Sequence, residues 1–242
     1  MIEAILRLTV RSLLNRRRSV LMLLLALIPV FIALLVRLAG RDANPVRIEV
    51  NILDGLVVRT VLPLIALVLG TAAMGSEIED GTVVYVLTKP VARWRIVIAK
   101  LLAAGGLTAA LTAPAVLVTG LLVAGDQGGG AQIAVAYAIA SVIGSFLYSA
   151  VFLAASVATG RALIIGLVYT LLWEGLLAGL FAGTRAFSIR EYTIGIAGIL
   201  DPDRIHPPLD AATSIVGAVG ALVVALLLAT RWLTSFQVRS AD

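Results

Sequence analysis

The sequence contains no cysteine and only one histidine, His206. Without cysteine the chain can form neither a disulfide nor a thiolate metal site, and one histidine alone makes no metal centre. Charged residues are also scarce: they make up 14% of the 242 residues, against about 25% in an ordinary soluble domain. These absences exclude a disulfide framework and a Cys/His metal enzyme, and they are typical of a membrane protein.

Catalytic signatures are missing as well. The phosphate-binding pattern G-x-x-x-x-G-K-[ST] does not occur, so the chain cannot bind and split ATP by that route. Neither G-x-S-x-G nor H-E-x-x-H is present, and the dense acidic cluster Glu77, Glu79 and Asp80 has no histidine partner. We therefore predict that the chain is not an enzyme and that it holds no cofactor or metal of its own.

Apolar residues are abundant: they form 60% of the chain, and the mean hydropathy is +1.05. A helix needs roughly 20 apolar residues to cross a bilayer. Six stretches approach or exceed that length, at about 19–36, 57–73, 96–124, 132–159, 163–182 and 211–230. The sequence thus predicts an all-α integral membrane protein, with residues 1–242 as a single transmembrane domain of six helices.

The distribution of basic residues predicts the orientation. If the N-terminus is cytoplasmic, 12 of the 19 Lys and Arg residues fall on the cytoplasmic side. This positive-inside bias predicts that both termini are cytoplasmic, and it explains the net charge of +5 without nucleic acid binding. The excess of arginine over lysine, with abundant Ala, Val, Leu and Gly, suggests a bacterial gene. We therefore expect a multi-pass protein of the bacterial plasma membrane.

Residues 1–18 have an amphipathic pattern. The apolar positions recur at helical spacing, while polar positions follow a separate face; they are Ile2, Ile5, Leu6, Val10, Leu13 and Leu14 against Glu3, Arg7, Arg11 and Asn15. Such a helix would lie in the cytoplasmic interface with its arginines toward anionic membrane lipids. It is either a plain interfacial anchor or an elbow helix that transmits movement into the first span.

The predicted fifth span carries small residues at regular spacing. Gly175, Gly179 and Gly183 recur every four residues and so lie on one helical stripe. A stripe of small residues lets another helix approach closely, because helix association in lipid depends on packing. The partner is either a helix of the same subunit or a helix of a second subunit.

Glu174 lies in the same predicted span. An ionised carboxylate inside a membrane costs about 2.5–3.5 kcal/mol on insertion scales, so it should face protein or water. It could line a substrate path, lock a helix contact as a gate, or accept a hydrogen bond from neighbouring backbone. A proton relay is less favoured, because no second acid occurs within the predicted spans.

The longest polar block follows the second span. Residues 76–96 read SEIEDGTVVYVLTKPVARWRI, with acids first and bases last. Gly81 provides a turn signal, Thr82 a cap for the short apolar piece, and Pro90 a second break. We predict a cytoplasmic coupling loop over residues 75–95 that docks on a soluble partner. On the other side, residues 183–210 form the longest extracytoplasmic loop, with a short helix at about Ser188–Leu200.

The stretch GSEIEDGTVVYVLTKPVARWRIVIAKLLA resembles the coupling loop of type-two ABC exporter permeases. Its start is Glu-rich, and Gly-Thr, Leu-x-x-x-Pro-Val and Ala-Lys-Leu elements follow, in a pattern matched by Glu77, Glu79, Gly81, Thr82, Leu87, Pro90, Val91, Lys100 and Leu101. The fifth-span piece YTLLWEGLLAGL, followed by FSIREY, is also similar to one bacterial branch of these permeases.

The resemblance implies a permease half of an exporter. Two copies, or one copy and a related chain, would form the path, and separate ATPase subunits that bind Mg-ATP would dock underneath. The coupling surface would then comprise the N-terminal helix and the loop with Glu77, Glu79, Asp80, Gly81, Thr82, Leu87 and Pro90. The chain is shorter than some relatives and lacks their large outer domain.

Two other classes of function stay open. An ion- or proton-coupled secondary transporter would need paired ionisable residues across spans and inverted repeats, which the sequence does not show. A membrane assembly subunit that transports nothing is compatible with the composition. The transported substrate, and the choice between homodimer and heterodimer, cannot be read from one sequence.

Overall fold

The computed structural model describes residues 2–14, 16–40, 44–79, 81, 92–125, 127–177 and 182–239, and all regular structure in these residues is helical. The α-helices are α1 (Ile2–Leu13), α2 (Arg16–Ala39), α3 (Pro45–Ile52), α4 (Leu62–Glu79), α5 (Arg93–Val123), α6 (Gly130–Ala158), α7 (Ala162–Val168), α8 (Ile189–Leu200) and α9 (Ala211–Arg239). Two π-helical segments, Leu53–Val61 and Tyr169–Leu177, and two 3₁₀ segments, Gln127–Gly129 and Ala182–Phe187, complete the order.

Five helices in the described residues are long and apolar enough to cross a membrane. They run over Arg18–Ala39, Pro45–Ile78, Arg93–Val123, Gly130–Ala158 and Ala211–Ser235. Each overlaps one of the spans predicted from the sequence, with ends that differ by a few residues in most cases.

The predicted fifth span, 163–182, differs from the structure. The apolar helix there is shorter, over Ala162–Leu176, and residues 178–181 lie outside the described part. Beyond them the chain continues as the 3₁₀ segment Ala182–Phe187 instead of as α-helix. Hydropathy predicts one continuous apolar run here. It carries no information on the change of backbone geometry within that run. A count of six membrane crossings therefore stays a prediction.

The predicted second span, 57–73, is longer in the structure. One helix runs over Pro45–Ile78, so residues 45–56 also belong to it. The part over Leu53–Val61 is π-helical, and Pro63 follows after Leu62. Proline has no N–H to donate to the preceding turn, which favours a local departure from α geometry at this point.

Helix α6 lies at the centre of the bundle and packs against α4, α5, α8 and α9. Small residues let α5 approach it closely: a Cβ added at Gly120 would lie 2.5 Å from the Cβ of Ala134. Two hydroxyl pairs join the same helices, Thr108 with Ser149 at 3.5 Å and Thr112 with Ser145 at 3.3 Å. Small and hydroxyl-bearing side chains are the usual means of helix packing in membranes.

Several apolar faces remain uncovered. Helices α2, α7 and α9 carry many exposed apolar side chains, among them Leu24, Phe31, Ile164, Val216 and Leu227. A single water-soluble subunit rarely leaves so much apolar surface in one place. These faces suit contact with lipid or with another membrane helix.

Helix α1 is present over Ile2–Leu13 and packs against α5. Thr9 and Leu13 are buried, whereas Glu3, Arg7 and Leu8 are exposed. The predicted position of this helix in the cytoplasmic interface stays a prediction.

Candidate functional site

Glu77 and Lys100 form an ion pair at the end of α4. The Nζ of Lys100 donates to Glu77 Oε1 at 2.7 Å and to the carbonyl of Ala73 at 2.6 Å. The Lys100 side chain is only 1% exposed and that of Glu77 is 29% exposed. A buried ammonium needs such acceptors, because leaving it without a partner costs several kcal/mol. We name these three residues the Lys100 clamp.

The Lys100 clamp lies at the base of the predicted coupling loop. Ala73 and Glu77 are on the last two turns of α4, and Lys100 is about two turns inside α5. The loop joins the same two helices. After α4 the Gly81 N–H donates to the carbonyl of Ile78 at 3.2 Å, with φ of +68° at Gly81. This left-handed glycine ends the helix in a way that other residues adopt only with strain.

The other predicted coupling residues are only partly described. Glu79 is the last residue of α4, but its side chain lies outside the described part, as do all atoms of Asp80, Thr82, Leu87 and Pro90. Their contact with an ATPase stays a prediction.

Glu174 is fully buried and accepts three hydrogen bonds. Its Oε1 accepts from Tyr169 Oη at 2.8 Å and from the backbone N–H of Ile189 at 2.9 Å, and its Oε2 accepts from Ser188 Oγ at 2.5 Å. The π-helical backbone joins residues five apart, and this brings Tyr169 beside Glu174. Ser188 Oγ also accepts the Glu191 N–H at 3.2 Å, as the N-cap of α8.

Glu174 thereby ties the end of the short apolar helix to the start of α8. An ionised carboxylate at a helix N-terminus is favoured by the orphan N–H groups and by the helix dipole. Of the roles predicted from the sequence, the structure shows a helix contact and a hydrogen bond from backbone. A cavity of about 670 Å³ is lined by two of the hydrogen-bond partners of Glu174, Tyr169 and Ile189, and a role of Glu174 beside a substrate path stays a prediction.

The predicted glycine stripe makes few contacts within the subunit. A Cβ added at Gly175 would meet only the carbonyl oxygen of Thr170, at 3.5 Å, and one added at Gly183 would meet nothing within 4 Å. Gly179 lies outside the described residues. The carbonyl of Gly175 does accept a hydrogen bond from the Arg59 guanidinium, which joins the two π-helical segments. The closest helix approaches use other glycines, such as Gly120.

A second charged cluster lies at the opposite end of the bundle. Arg190, the second residue of α8, donates to both oxygens of Asp54, at 2.9 and 3.0 Å, and to Glu191 Oε1 at 3.2 Å. Burial raises the pKa of the Glu191 carboxyl above its ordinary value, although Arg190 beside it acts in the opposite direction. Farther along, Arg204 pairs with Asp201 and donates to the carbonyl of Gly128.

Sequence reasoning missed two buried charges. Lys100 was matched only as part of a pattern, and its pairing with Glu77 could have been suspected because a lysine this deep in an apolar helix needs an acceptor. Glu49 precedes the predicted second span. In the structure it is fully buried, and neither carboxylate oxygen has a hydrogen-bond partner among the residues described.

The comparison with protein families decides the identity. The sequence model described as "ABC-2 family transporter protein" matches residues 14–184, well over half of the chain. The chain belongs to the ABC-2 transporter family. This confirms the resemblance seen in the coupling loop and identifies the chain as an ABC-2 type permease. No curated protein matches the sequence.

The ABC-2 family match spans the Lys100 clamp, the predicted coupling loop and Glu174, whereas α8 and α9 follow it. ABC-2 permeases are generally the non-enzymatic membrane component of an ABC transporter, and membership implies ABC ATPase partners. The five apolar helices and the family together identify a multi-pass membrane protein.

Proposed function

We propose that this ABC-2 permease is the membrane-spanning subunit of an ATP-driven exporter. It forms the translocation path as a dimer with a second copy or a related chain, and it couples to separate cytoplasmic subunits that bind Mg-ATP. The observation that carries the coupling role is the Lys100 clamp, a buried ion pair at the base of the loop that the sequence assigns to ATPase docking.

The clamp supports a mechanical role for this loop. A displacement of the loop by an ATPase would pull on the end of α4 and the start of α5. Since Lys100 holds the last two turns of α4, the two helices would move together instead of separating. Packed helices change arrangement as rigid elements, so this coupled movement would reach α6 and switch the path from inward to outward access.

The uncovered apolar faces support the dimer. Helices α2 and α7 expose apolar side chains along their length, and Gly175 and Gly183 of the predicted glycine stripe leave room where a Cβ would stand. Glu174 acts in this scheme as a lock, or gate, that holds the end of the short apolar helix against the start of α8. The coupling loop and both termini lie on the cytoplasmic side of the bacterial plasma membrane.

The docking role is tested in the complex purified from native cells in mild detergent. Replacing Glu79 and Asp80 with alanine removes two acids of the loop and leaves the Lys100 clamp in place. We expect less ATPase subunit to be retained and slower ATP hydrolysis per permease. Adding Glu77→Ala also breaks the clamp, and we expect a further loss of hydrolysis.

The matched control is Asp203→Asn, which removes one exposed acid at the opposite end of the bundle. It should leave both readouts unchanged. Full retention of the ATPase and unchanged hydrolysis in the triple variant would refute the coupling role. Purification without any ATPase would count against an ABC transporter assembly in general.

Proton-coupled transport is a second candidate, favoured by one observation. Glu49 is a buried acid without a hydrogen-bond partner in the described residues, and such groups mark proton pathways in membrane transporters. The two candidates differ in their energy source. Transport that continues after collapse of the proton gradient, but stops on ATP depletion, would exclude the proton-coupled alternative.

A further inference from the structure

A cavity with both apolar and polar lining residues opens at the same end of the molecule as the Lys100 clamp. It has a volume of about 300 Å³ and lies among α2, α4, α6 and α7. Its polar lining comprises two arginines and four hydroxyl-bearing residues, which are Arg18, Arg161, Thr71, Ser76, Ser156 and Thr159. Ligand cavities in proteins are usually about 300–1,000 Å³, so the space suits a small group.

Both charged residues that line this cavity in the described part of the chain are basic. Arg18 and Arg161 are exposed, and neither has an ion-pair partner among the residues that the structure describes. Glu77 lies between two lining residues, Ser76 and Ile78, but its carboxylate is turned to Lys100. Among the acids whose side chains the structure describes, the one closest in sequence is therefore already paired, and the cavity presents two guanidinium groups that suit an anion.

The donors suit phosphate in particular. A guanidinium offers a planar fork of N–H donors that matches the oxygens of a phosphate. Thr159 Oγ1 accepts the backbone N–H of Arg161 at 3.2 Å, which leaves its own proton for a ligand. Ser76 and Ser156, by contrast, donate to carbonyls of their own helices.

The surroundings distinguish a lipid from a soluble anion. Leu163 and Ile164 line the cavity and are 52% and 61% exposed, and Ile165 beside them is 52% exposed. In a membrane protein, an exposed apolar face directly beside interfacial arginines can hold acyl chains while the arginines reach the headgroup. A soluble phosphate would gain nothing from these side chains.

We propose that the cavity lined by Arg18 and Arg161 binds the phosphate group of an anionic phospholipid, whose acyl chains lie along the exposed face of α7. The lipid would bridge α2, α4 and α7 beside the Lys100 clamp. This site does not depend on ATP coupling or on the direction of transport.

The test measures binding of a fluorescent phosphatidylglycerol to the purified permease in mixed micelles. We expect Arg18→Gln and Arg161→Gln each to weaken binding by about tenfold, because each removes a charge-assisted contact. Arg231→Gln is the matched control: it removes an exposed arginine on α9, outside the cavity, and should leave binding unchanged. An equal loss in all three variants, or no loss in any, would overturn the proposal.

A second variant keeps both arginines. A Cβ at Gly75 would meet only the Cβ of Ser156, at 3.8 Å, so Gly75→Leu should fill the cavity without breaking the fold. We expect it to abolish phosphatidylglycerol binding. The control is Gly106→Leu, at a glycine of α5 with nothing within 4 Å of its added Cβ. Retained binding in Gly75→Leu would contradict a ligand in this space.

Two competitors identify the source of the phosphate. Phosphatidylcholine should displace the probe poorly, because its headgroup carries no net charge, and inorganic phosphate should displace it only at far higher concentration than phosphatidylglycerol. If phosphatidylcholine competes equally, recognition of the anionic headgroup is wrong. If inorganic phosphate competes as well as the lipid, the ligand is a soluble phosphate and the lipid assignment falls.

Discussion

At the scale of single residues, the buried polar groups of this permease are matched to specific partners. Glu174 accepts from a phenol, a hydroxyl and a backbone N–H that come from two different segments. Removing one partner of a buried hydrogen bond lowers the free energy of unfolding by more than the net contribution of the bond, because the remaining polar group stays buried without a partner. Such residues are therefore sensitive places to test the fold.

Replacing Glu174 with glutamine should lower the thermal stability of the permease in detergent. One acceptor oxygen becomes an NH₂ donor that faces the Ser188 hydroxyl or the Ile189 N–H, and we expect a loss of about 1–3 kcal/mol. Tyr169→Phe is the milder control, since it removes a donor and leaves the carboxylate with two others. An unchanged melting temperature in Glu174→Gln would show that the carboxylate does not hold α8 in place.

Glu191 should make stability depend on pH. Burial raises the pKa of its carboxyl in the folded state, so its contribution to stability is fully present below the unfolded value near 4.5 and is lost as the pH rises through the folded pKa. Relative to Glu191→Gln, which does not titrate, the wild type should therefore lose stability between acidic and neutral pH. A difference in melting temperature between the two proteins that stays constant across that pH range would contradict the raised pKa of Glu191.

At the scale of helices, the Lys100 clamp joins α4 to α5, and close glycine contacts join α5 to α6. The side chains of Glu77 and Lys100 differ in exposure, at 29% and 1%, so replacing one should change the stability by a different amount than replacing the other. The carboxylate can be hydrated when its partner is lost, whereas the ammonium cannot.

Glu77→Ala should therefore destabilise the permease more than Lys100→Met. The first leaves a buried ammonium with only the carbonyl of Ala73, at a cost of up to about 3 kcal/mol. The second replaces a buried charge with an apolar side chain of similar length. Thermal unfolding of the two single variants and the double variant measures their coupling. If the stability lost in the double variant equals the sum of the losses in the two single variants, the ion pair adds no stabilising link between α4 and α5.

The glycines of different helices should respond differently to the same substitution. Gly120→Ala places a Cβ 2.5 Å from the Cβ of Ala134 and should lower subunit stability by about 1–3 kcal/mol. Gly175→Ala meets only an ordinary contact at 3.5 Å and should leave subunit stability unchanged. If Gly175 lies at the dimer interface, its variant should instead weaken dimerisation, measured by cross-linking in membranes. Unaltered dimerisation would remove the glycine stripe from the interface.

At the scale of the whole molecule, the orientation decides whether the proposed coupling can work. The Lys100 clamp and the cavity with Arg18 and Arg161 lie at one end of the bundle, and the cluster of Asp54, Arg190 and Glu191 lies at the other. An ATPase can reach only the end that faces the cytoplasm.

A reporter inserted near residue 85 should be accessible from the cytoplasm only. The distribution of basic residues predicts this side, and a reporter fused to the C-terminus should give the same result. Labelling of intact cells with an impermeant reagent distinguishes the two sides. Exposure of residue 85 to the outside would exclude ATPase docking on this loop. It would also place the end of the bundle with the Lys100 clamp outside the cell and the opposite end in the cytoplasm.

The sequence by itself determined that the chain lies in a membrane, that it is helical, and where most of its long helices run. It could do so because a bilayer requires about 20 apolar residues per crossing and internal hydrogen bonds for every peptide group. It also predicts a coupling loop, through the resemblance of residues 75–103 to the pattern of the family, and the docking role of that loop stays a prediction.

Only the tertiary structure decided which buried charges meet. Lys100 and Glu77 are 23 residues apart and Glu174 and Ile189 are 15 apart, so their contacts depend on how separate helices cross. Only the structure showed that part of the predicted fifth span, Tyr169–Leu177, is π-helical and that the apolar helix there is shorter than predicted. It also showed that Glu49 is buried. Hydropathy sums side-chain preferences along the chain, whereas these features depend on neighbours that the fold brings from elsewhere.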